Sequence, residues 1–465
     1  MLGYSRPAAS IADGPYMSGA IGPDSRPVAS VDDLVDYFTS GAKAPEAWRL
    51  GIEQEKLAVF PDGRVVGFDG PAGIEALLTR FEALGAAGVR EDGRLVALKD
   101  GEDSITIEPG GQVEQSAPPY PTAIACRAAI QGHLTKLVPL ARELGMRFLG
   151  VGLRPWGGMD DIPWLPKRRY AVMRDYLPTR GRLGHQMMKR TATVQVNLDY
   201  DSEQTAVEKM RAALAVTSVV TALMAASPIV DGRPSGYKTY RAAIWLDTDE
   251  DRCGLLPFVF DEGFGFRQYA DWALGVPMFF VVRDGVYHPA GGMTFGRFMT
   301  DGWNGQQATI GDWEIHLSTL FPEVRLKRDI EVRGADAGPM AFALALPALW
   351  RGLLDDPETR RATIDMVRGT DVAEREALRR LVPRAGLDAR LSGRTLRELA
   401  VELCALAATG LSRLPGGAQD QTLLAPLQER AGIGRAPADD MLTDYAACGG
   451  DPTKLVKRWE LTPDL

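Results

Sequence analysis

Cysteine is scarce and scattered. Cys126, Cys253, Cys404 and Cys448 stand apart, with no CxxC pair and no metal-finger spacing, which argues against a disulfide scaffold and against a structural zinc site. Such usage implies a reducing compartment, and the expected location is cytoplasmic. Excess positive charge is also missing: the net charge is -8 and the isoelectric point lies near 5.3. A general nucleic-acid binder would show the opposite balance, so no nucleic-acid partner is expected. Residues 1–29 are rich in Gly, Pro, Ser and Ala and lack the basic start and apolar core of a secretory signal. They read as a mobile tail ahead of a single domain over 30–465. One long uncharged run does occur, nineteen residues at 212–230, close to the ~20 that span a bilayer. Its Ala, Thr and Ser content and the Ser227-Pro228 stop make it a buried core helix, so no membrane is implied.

What the chain does have is a set of segments with strict two-residue alternation. In Gly-Ile-Glu-Gln-Glu-Lys (51–56), Glu53 and Glu55 fall on the same strand face as Leu57 and Val59. Two carboxylates ~4 Å apart repel by roughly 4 kcal/mol at an effective dielectric of ~20, so such a face needs a cation or strong hydrogen bonds. Ser104, Thr106 and Glu108 share a face opposite Ile105 and Ile107, and after Pro109-Gly110-Gly111 the residues Gln112 and Glu114 again fall two apart. Thr193, Gln195, Asn197 and Asp199 form a third polar face, and Glu331 with Arg333 a fourth. Helical spacing marks 31–39, 72–84, 122–143 and much of the chain beyond about 340, and 147–153 reads as a buried strand. The arrangement that satisfies all four polar strands is an α+β fold: a curved antiparallel sheet with a concave polar front and helices packed on its back. Carboxylates offered from several strands suit Mg2+, a hard ion that keeps water and substrate phosphate among its ligands. Between Lys167 and Arg190 eight basic residues stand against one acid, a concentration expected to serve phosphate.

The runs GIEQEKLAVF (51–60), ITIEPGGQVEQSAPP (105–119), LGVGLRPWGGMDDIPWLPKRRYAVMRDYLP (149–178), KRTATVQVNLDY (189–200), LPFVFDEGFGFRQYADWAL (256–274) and HLSTLFPEVRLKRDIEVRGAD (316–336) closely resemble the plant and proteobacterial type of glutamate–cysteine ligase, in the same order across about 45–440. The resemblance implies a glutamine-synthetase-like catalytic domain using ATP and more than one Mg2+. It would form an acyl phosphate on the γ-carboxyl of L-glutamate and ligate it to L-cysteine, the first step of glutathione synthesis. By the same resemblance Glu53, Glu55, Glu108, Glu114 and Glu331 are assigned to the metal ions, with Gln112 and Asn197 completing or flanking the shell. Arg333 is the phosphoryl clamp, acting with Glu53 and Glu331 in catalysis. Arg241 and Arg169 are assigned to substrate carboxylates, with Arg174, Tyr240 and Phe279 also in the substrate site. Partners would be small molecules, and the protein a monomer or homodimer. Two other readings stay open: the same ligase with a different amine, and a non-catalytic nucleotide-binding homologue.

Overall fold

Leu50–Val59 (β1) lies inside an open nine-stranded sheet, where every pairing is antiparallel. The structure, a computed structural model, describes residues 24–463. The other strands are Ala87–Glu91 (β2), Arg94–Asp100 (β3), Asp103–Ile107 (β4), Val113–Ser116 (β5), Arg147–Leu149 (β6), Thr193–Leu198 (β7), Val324–Leu326 (β8) and Ile330–Asp336 (β9). Their order is β8-β9-β7-β1-β5-β4-β3-β2, with β6 paired to the far end of β1. The helices that position the site are Ala123–Glu143 (α1), Arg168–Tyr176 (α2), Glu203–Leu223 (α3), Tyr240–Trp245 (α4), Met340–Leu354 (α5), Val372–Ala385 (α6) and Leu396–Arg413 (α7).

Register explains why the polar residues form one row. Glu53 lies opposite Ser116 on β5 and Gln195 on β7, Glu55 opposite Glu114, and Asn197 opposite Glu331. Directly opposed residues point to the same side of a sheet, so these seven strand positions share the front. The back carries Ile52, Val194, Val196, Ile330 and Val332, all buried. There α5 packs on β1 and β7, α1 on β1, and α3 on β9, while α7 packs in turn on α5. Each fully buried aliphatic side chain contributes ~1.5–3 kcal/mol. A one-residue slip would drive the glutamates into this core, so the apolar face fixes the register of the acids.

Three expectations need correction. The core helix ends at Leu223, ahead of the expected Ser227-Pro228 stop, and Asp336 captures the groups released there. Its carboxylate accepts from Ala226 N (2.9 Å), Ser227 Oγ (2.7 Å) and Thr239 Oγ1 (2.9 Å). No helix among the described residues is long and apolar enough to cross a membrane. The strand expected at 147–153 stops at Leu149, since Gly150 N turns to Trp459 O and Gly152 N to Ala226 O. Of the tail, residues 1–23 lie outside the described residues, but 24–28 are docked: Val28 N donates to Ala308 O and Ile310 N to Arg26 O, both at 2.9 Å, and Val28 is buried.

Candidate active site

Each acid of the front row has a different electrostatic environment. Glu53, on β1, accepts from Gln195 Nε2 at 2.8 Å and from Asn197 Nδ2 at 2.9 Å, two amides presented by β7. Burial, and then the charge of Glu331, still push its pKa up. Glu55 accepts from Thr193 N at 3.0 Å, and burial followed by repulsion from Glu108 raises its pKa to about 8. Glu114 accepts from Thr106 Oγ1 at 2.7 Å and is driven well above the ordinary carboxylate range, first by burial and then by Glu108, Glu53 and Glu55. Glu108, just past β4, accepts from the hydroxyl of Tyr170 on α2 at 3.2 Å.

Glu331 differs. Arg325 on β8 grips both of its oxygens (3.0, 2.9 and 2.6 Å), Lys327 reaches it at 2.8 Å, and Arg333 bonds it from two residues along β9. Burial alone would raise its pKa, but the three cations outweigh burial and hold it well below the usual range. Arg333 also donates to Gln195 Oε1, so its guanidinium is fixed between β7 and β9 beside Glu53. Arg325 and Lys327 were not among the residues singled out from sequence; their spacing of two and their nearness to Glu331 were the available signals.

The remaining expectations divide. Asn197 fits an oxygen-donor role, because its Oδ1 is buried without a partner among the described residues. Gln112 does not: its Oε1 accepts from Gly110 N (2.9 Å), and its Nε2 donates to Met188 O (3.2 Å) and Thr191 O (2.8 Å). It braces the turn that carries Glu108. Gly110 is required there, since a Cβ would lie 2.1 Å from Lys189 O. Arg241, on α4, is buried and donates to Arg333 O (3.1 Å) and Gly334 O (3.4 Å). Asp336 sets its position, because the two hydroxyls bound to that carboxylate, Thr239 Oγ1 and Ser227 Oγ, accept from Ala242 N and Arg241 N at the start of α4. Arg169 stands by Tyr170, its guanidinium carbon 5.9 Å from the ring centre. Arg174 pairs with Asp175 at 3.2 Å, and its guanidinium carbon stands 6.0 Å from the centre of the Trp164 ring. Tyr240 packs edge-on against Tyr237, and Phe279 is buried between Tyr176 and the guanidinium of Arg252, 3.9 Å from its ring centre. The basic segment is mostly consumed structurally, by Asp92 on Arg168, Asp247 on Arg182, Asp251 on Arg180 and Asp231 on Arg190. Next to Arg333, a small pocket of about 30 Å³ is lined by Arg241, Trp245, Phe321, Glu323 and Arg379.

A front row of buried and half-buried carboxylates beside a fixed guanidinium is suited to phosphoryl chemistry, and comparison with known proteins bears on which. The family described as Glutamate-cysteine ligase family 2 (GCS2) matches residues 49–457. The chain belongs to this family. It is 43% identical over 419 residues to the chloroplastic glutamate–cysteine ligase of Brassica juncea, covering 89% of this chain and 80% of that protein. Against chloroplastic ligase B of Oryza sativa subsp. japonica the identity is also 43%, covering 89% and 84%. The fold resembles the crystal structure of the Francisella tularensis glutamate–cysteine ligase in complex with AMP, with a TM-score of 0.57 at 13% identity, over 89% of this chain and 87% of that one. The expected cytoplasmic location is overturned by the chloroplastic relatives. The four cysteines are free, but unpaired thiols speak to redox state and not to which compartment supplies it.

Among the described residues no three Asp, Glu, His or Cys side chains stand close enough to hold one metal ion. The donor set of this family ligase nevertheless fits a hard dication. Glu55 is half-buried and Glu114 buried, both short of positive charge, and Asn197 offers an oxygen with no partner among the described residues. Glu331 fits less well than expected, because both its oxygens are held by the three cations.

Proposed function

We propose that this ATP-dependent ligase joins the γ-carboxyl of L-glutamate to the amine of L-cysteine by way of γ-glutamyl phosphate, with Mg2+ at the acid row. The observation that carries this reading is the 43% identity to plant glutamate–cysteine ligases across 89% of the chain. In the first step a γ-carboxylate oxygen bonds the terminal phosphorus of ATP and ADP leaves. In the second the amine nitrogen bonds the acyl carbon, the amine loses a proton, and inorganic phosphate leaves. Both partners of the first step are anions, so the rate depends on charge neutralisation and in-line positioning.

Arg333 performs the neutralisation that this chain itself supplies. Held by Gln195 and Glu331, its planar fork is pre-aimed and needs no reorganisation when the phosphoryl group passes. Glu331, clamped by Arg325 and Lys327, acts by positioning Arg333. Glu53, Glu55, Glu108, Glu114 and Asn197 Oδ1 would hold Mg2+, which when bound supplies the positive charge that a triphosphate needs beside these carboxylates. Tyr170 orients Glu108, and the amides of Gln195 and Asn197 orient Glu53.

The test is phosphate release from ATP with Mg2+ and L-glutamate, with and without L-cysteine, and with hydroxylamine as a trap. Glutamate-dependent hydroxamate and stimulation by cysteine are expected. No glutamate-dependent turnover with any amine would overturn the ligase reading, and stimulation by a different amine alone would remove cysteine only.

A further inference from the structure

The turn that carries Glu108 hangs past the end of its sheet ladder. β5 pairs with β1 only as far as Val113 opposite Lys56, and beyond that point β1 takes β6 as its neighbour instead. Inside the turn Gly111 N donates to Glu108 O (2.8 Å) and Glu108 N to Gln112 O (2.9 Å), while Leu165 N and Lys167 Nζ donate to Pro109 O and Ile107 O, each at 2.9 Å. None of these contacts reaches β1. Glu108 and Glu55 repel each other, so their separation depends on what ties the turn to that strand.

The tie is Arg154, in the segment after β6. Its Nη1 donates to Ala58 O on β1 at 2.9 Å, and its Nη2 to Gly110 O in the turn at 3.1 Å. The side chain is fully buried, and no acid among the described residues pairs with it. Opposite it stands a second arginine, Arg190, whose carbonyl accepts from Arg154 N at 2.8 Å. Burial and then the charge of Arg190 bring the pKa of Arg154 down to about 10. Taking a guanidinium out of water without a carboxylate partner is costly, and an apolar side chain would fill the same space without that cost. What a neutral filler cannot do is hold the carbonyls of two separate segments at once, which a planar fork with fixed donor directions does.

We propose that Arg154 is a positioning residue: by bridging β1 and the turn it fixes the separation of Glu55 and Glu108, and so fits that end of the acid row to a small, geometrically demanding dication. Mg2+ requires near-octahedral ligands at about 2.0–2.1 Å, whereas Ca2+ accepts about six to eight oxygens in flexible geometry. A loosened clasp therefore penalises Mg2+ more than Ca2+, while a general loss of packing weakens both alike. The inference rests on the proposed metal site and deepens it by a residue that bonds neither acid.

Calorimetry with MgCl2 or CaCl2 on the full chain measures the two dissociation constants, and glutamate-dependent phosphate release gives the Mg2+ concentration at half-maximal rate. Arg154→Met should raise the Mg2+ constant about 10-fold or more, the usual scale for losing a group that orients a metal ligand, and the Ca2+ constant by less than about threefold. The half-maximal Mg2+ concentration should rise in step, with kcat at saturating Mg2+ within about threefold of wild type. Arg154→Lys keeps the charge, can reach one carbonyl and should fall between the two; it carries the test if the methionine variant does not melt near the wild-type temperature. Arg190→Met removes a comparably buried guanidinium that bonds Asp231 and Arg154 O, and should leave both constants within about twofold. Equal weakening of the two ions, an unchanged Mg2+ constant in Arg154→Lys, or the same loss in Arg190→Met would each overturn the proposal. Absence of Mg2+ binding by the unsubstituted protein would instead sink the metal reading on which it rests.

Discussion

Arg325→Met isolates the contact that most distinguishes the two ends of the acid row. Arg325 makes three hydrogen bonds of 2.6 to 3.0 Å to the Glu331 carboxylate and donates to Ser318 O and Leu320 O at 2.9 Å each. Glu331 is fully buried. Breaking a buried pair from one side costs ~3–5 kcal/mol, because the surviving charge is left without its partner. Lys327 and Arg333 remain as cations for Glu331, which places the expected loss toward the lower end, about 3 kcal/mol. A chain of 465 residues at ~2 cal/mol/K per residue has an unfolding entropy of about 1 kcal/mol/K, so Tm should fall by about 3 °C. The double-mutant cycle with Glu331→Gln is the decisive assay. Once the carboxylate is neutral, removing Arg325 should cost at least about 2 kcal/mol less than it does beside the charge. Glutamate-dependent phosphate release should drop in Arg325→Met through kcat, since Glu331 would then draw Arg333 away from Gln195. A coupling energy below about 0.5 kcal/mol, or full kcat in the variant, would refute the assignment of Arg325 as the residue that frees Arg333 for phosphate.

Glu53→Gln keeps the shape of the side chain and removes its charge; turnover is expected to fall about 100-fold or more while the melt stays near wild type, and retained activity would refute Glu53 as a metal ligand. His316 is buried with Nε2 2.7 Å from Ala273 O, and burial lowers its pKa from 6.5 to about 3. The unfolded chain takes a proton that the folded one refuses, so stability is lost as pH falls below about 6.5, by about 2 kcal/mol at pH 5. Denaturant unfolding of His316→Phe should show a correspondingly shallower loss between pH 7 and 5, and identical slopes would refute the linkage.

Alternation with period two made the four polar strands legible, and the structure has them at 50–59, 103–107, 193–198 and 330–336. The helix at 31–39 also appears over the residues where spacing placed it. What the period could not reveal is which charge meets which. Arg168, Arg182 and Arg190 read as a phosphate-binding concentration, yet each is met by an acid 41 to 76 residues away in the chain, and only the fold brings those together. Gln112 sat on the right face but spends both ends of its amide on backbone groups. The other face of β1 carries polar side chains as well. Alternation puts Gln54 and Lys56 opposite the acids, where polar side chains would ordinarily meet water, but α1 and α5 cover that face and both are buried. Lys56 Nζ is left donating to Gln54 O at 3.0 Å, and burial brings its pKa down to about 7.

Glu53 and Glu55 are two residues apart on one strand, yet they face opposite electrostatic problems. Toward β9, three cations converge on Glu331, and Glu53 shares their field. Toward β5, Glu55, Glu108 and Glu114 repel one another; Glu114 is buried and the other two are half-buried. On the proposed function a dication would be drawn to the β5 end, where each unit of positive charge would relieve several carboxylates at once. A phosphoryl oxygen would be drawn to Arg333, which Gln195 and Glu331 hold in the middle of the row. Because the sheet register fixes these positions, the proposed cation site and anion clamp would be set side by side before any substrate arrives. The electrostatic work of bringing two anions together is then shifted from the reaction step to folding, and the apolar back face stabilises the fold against it.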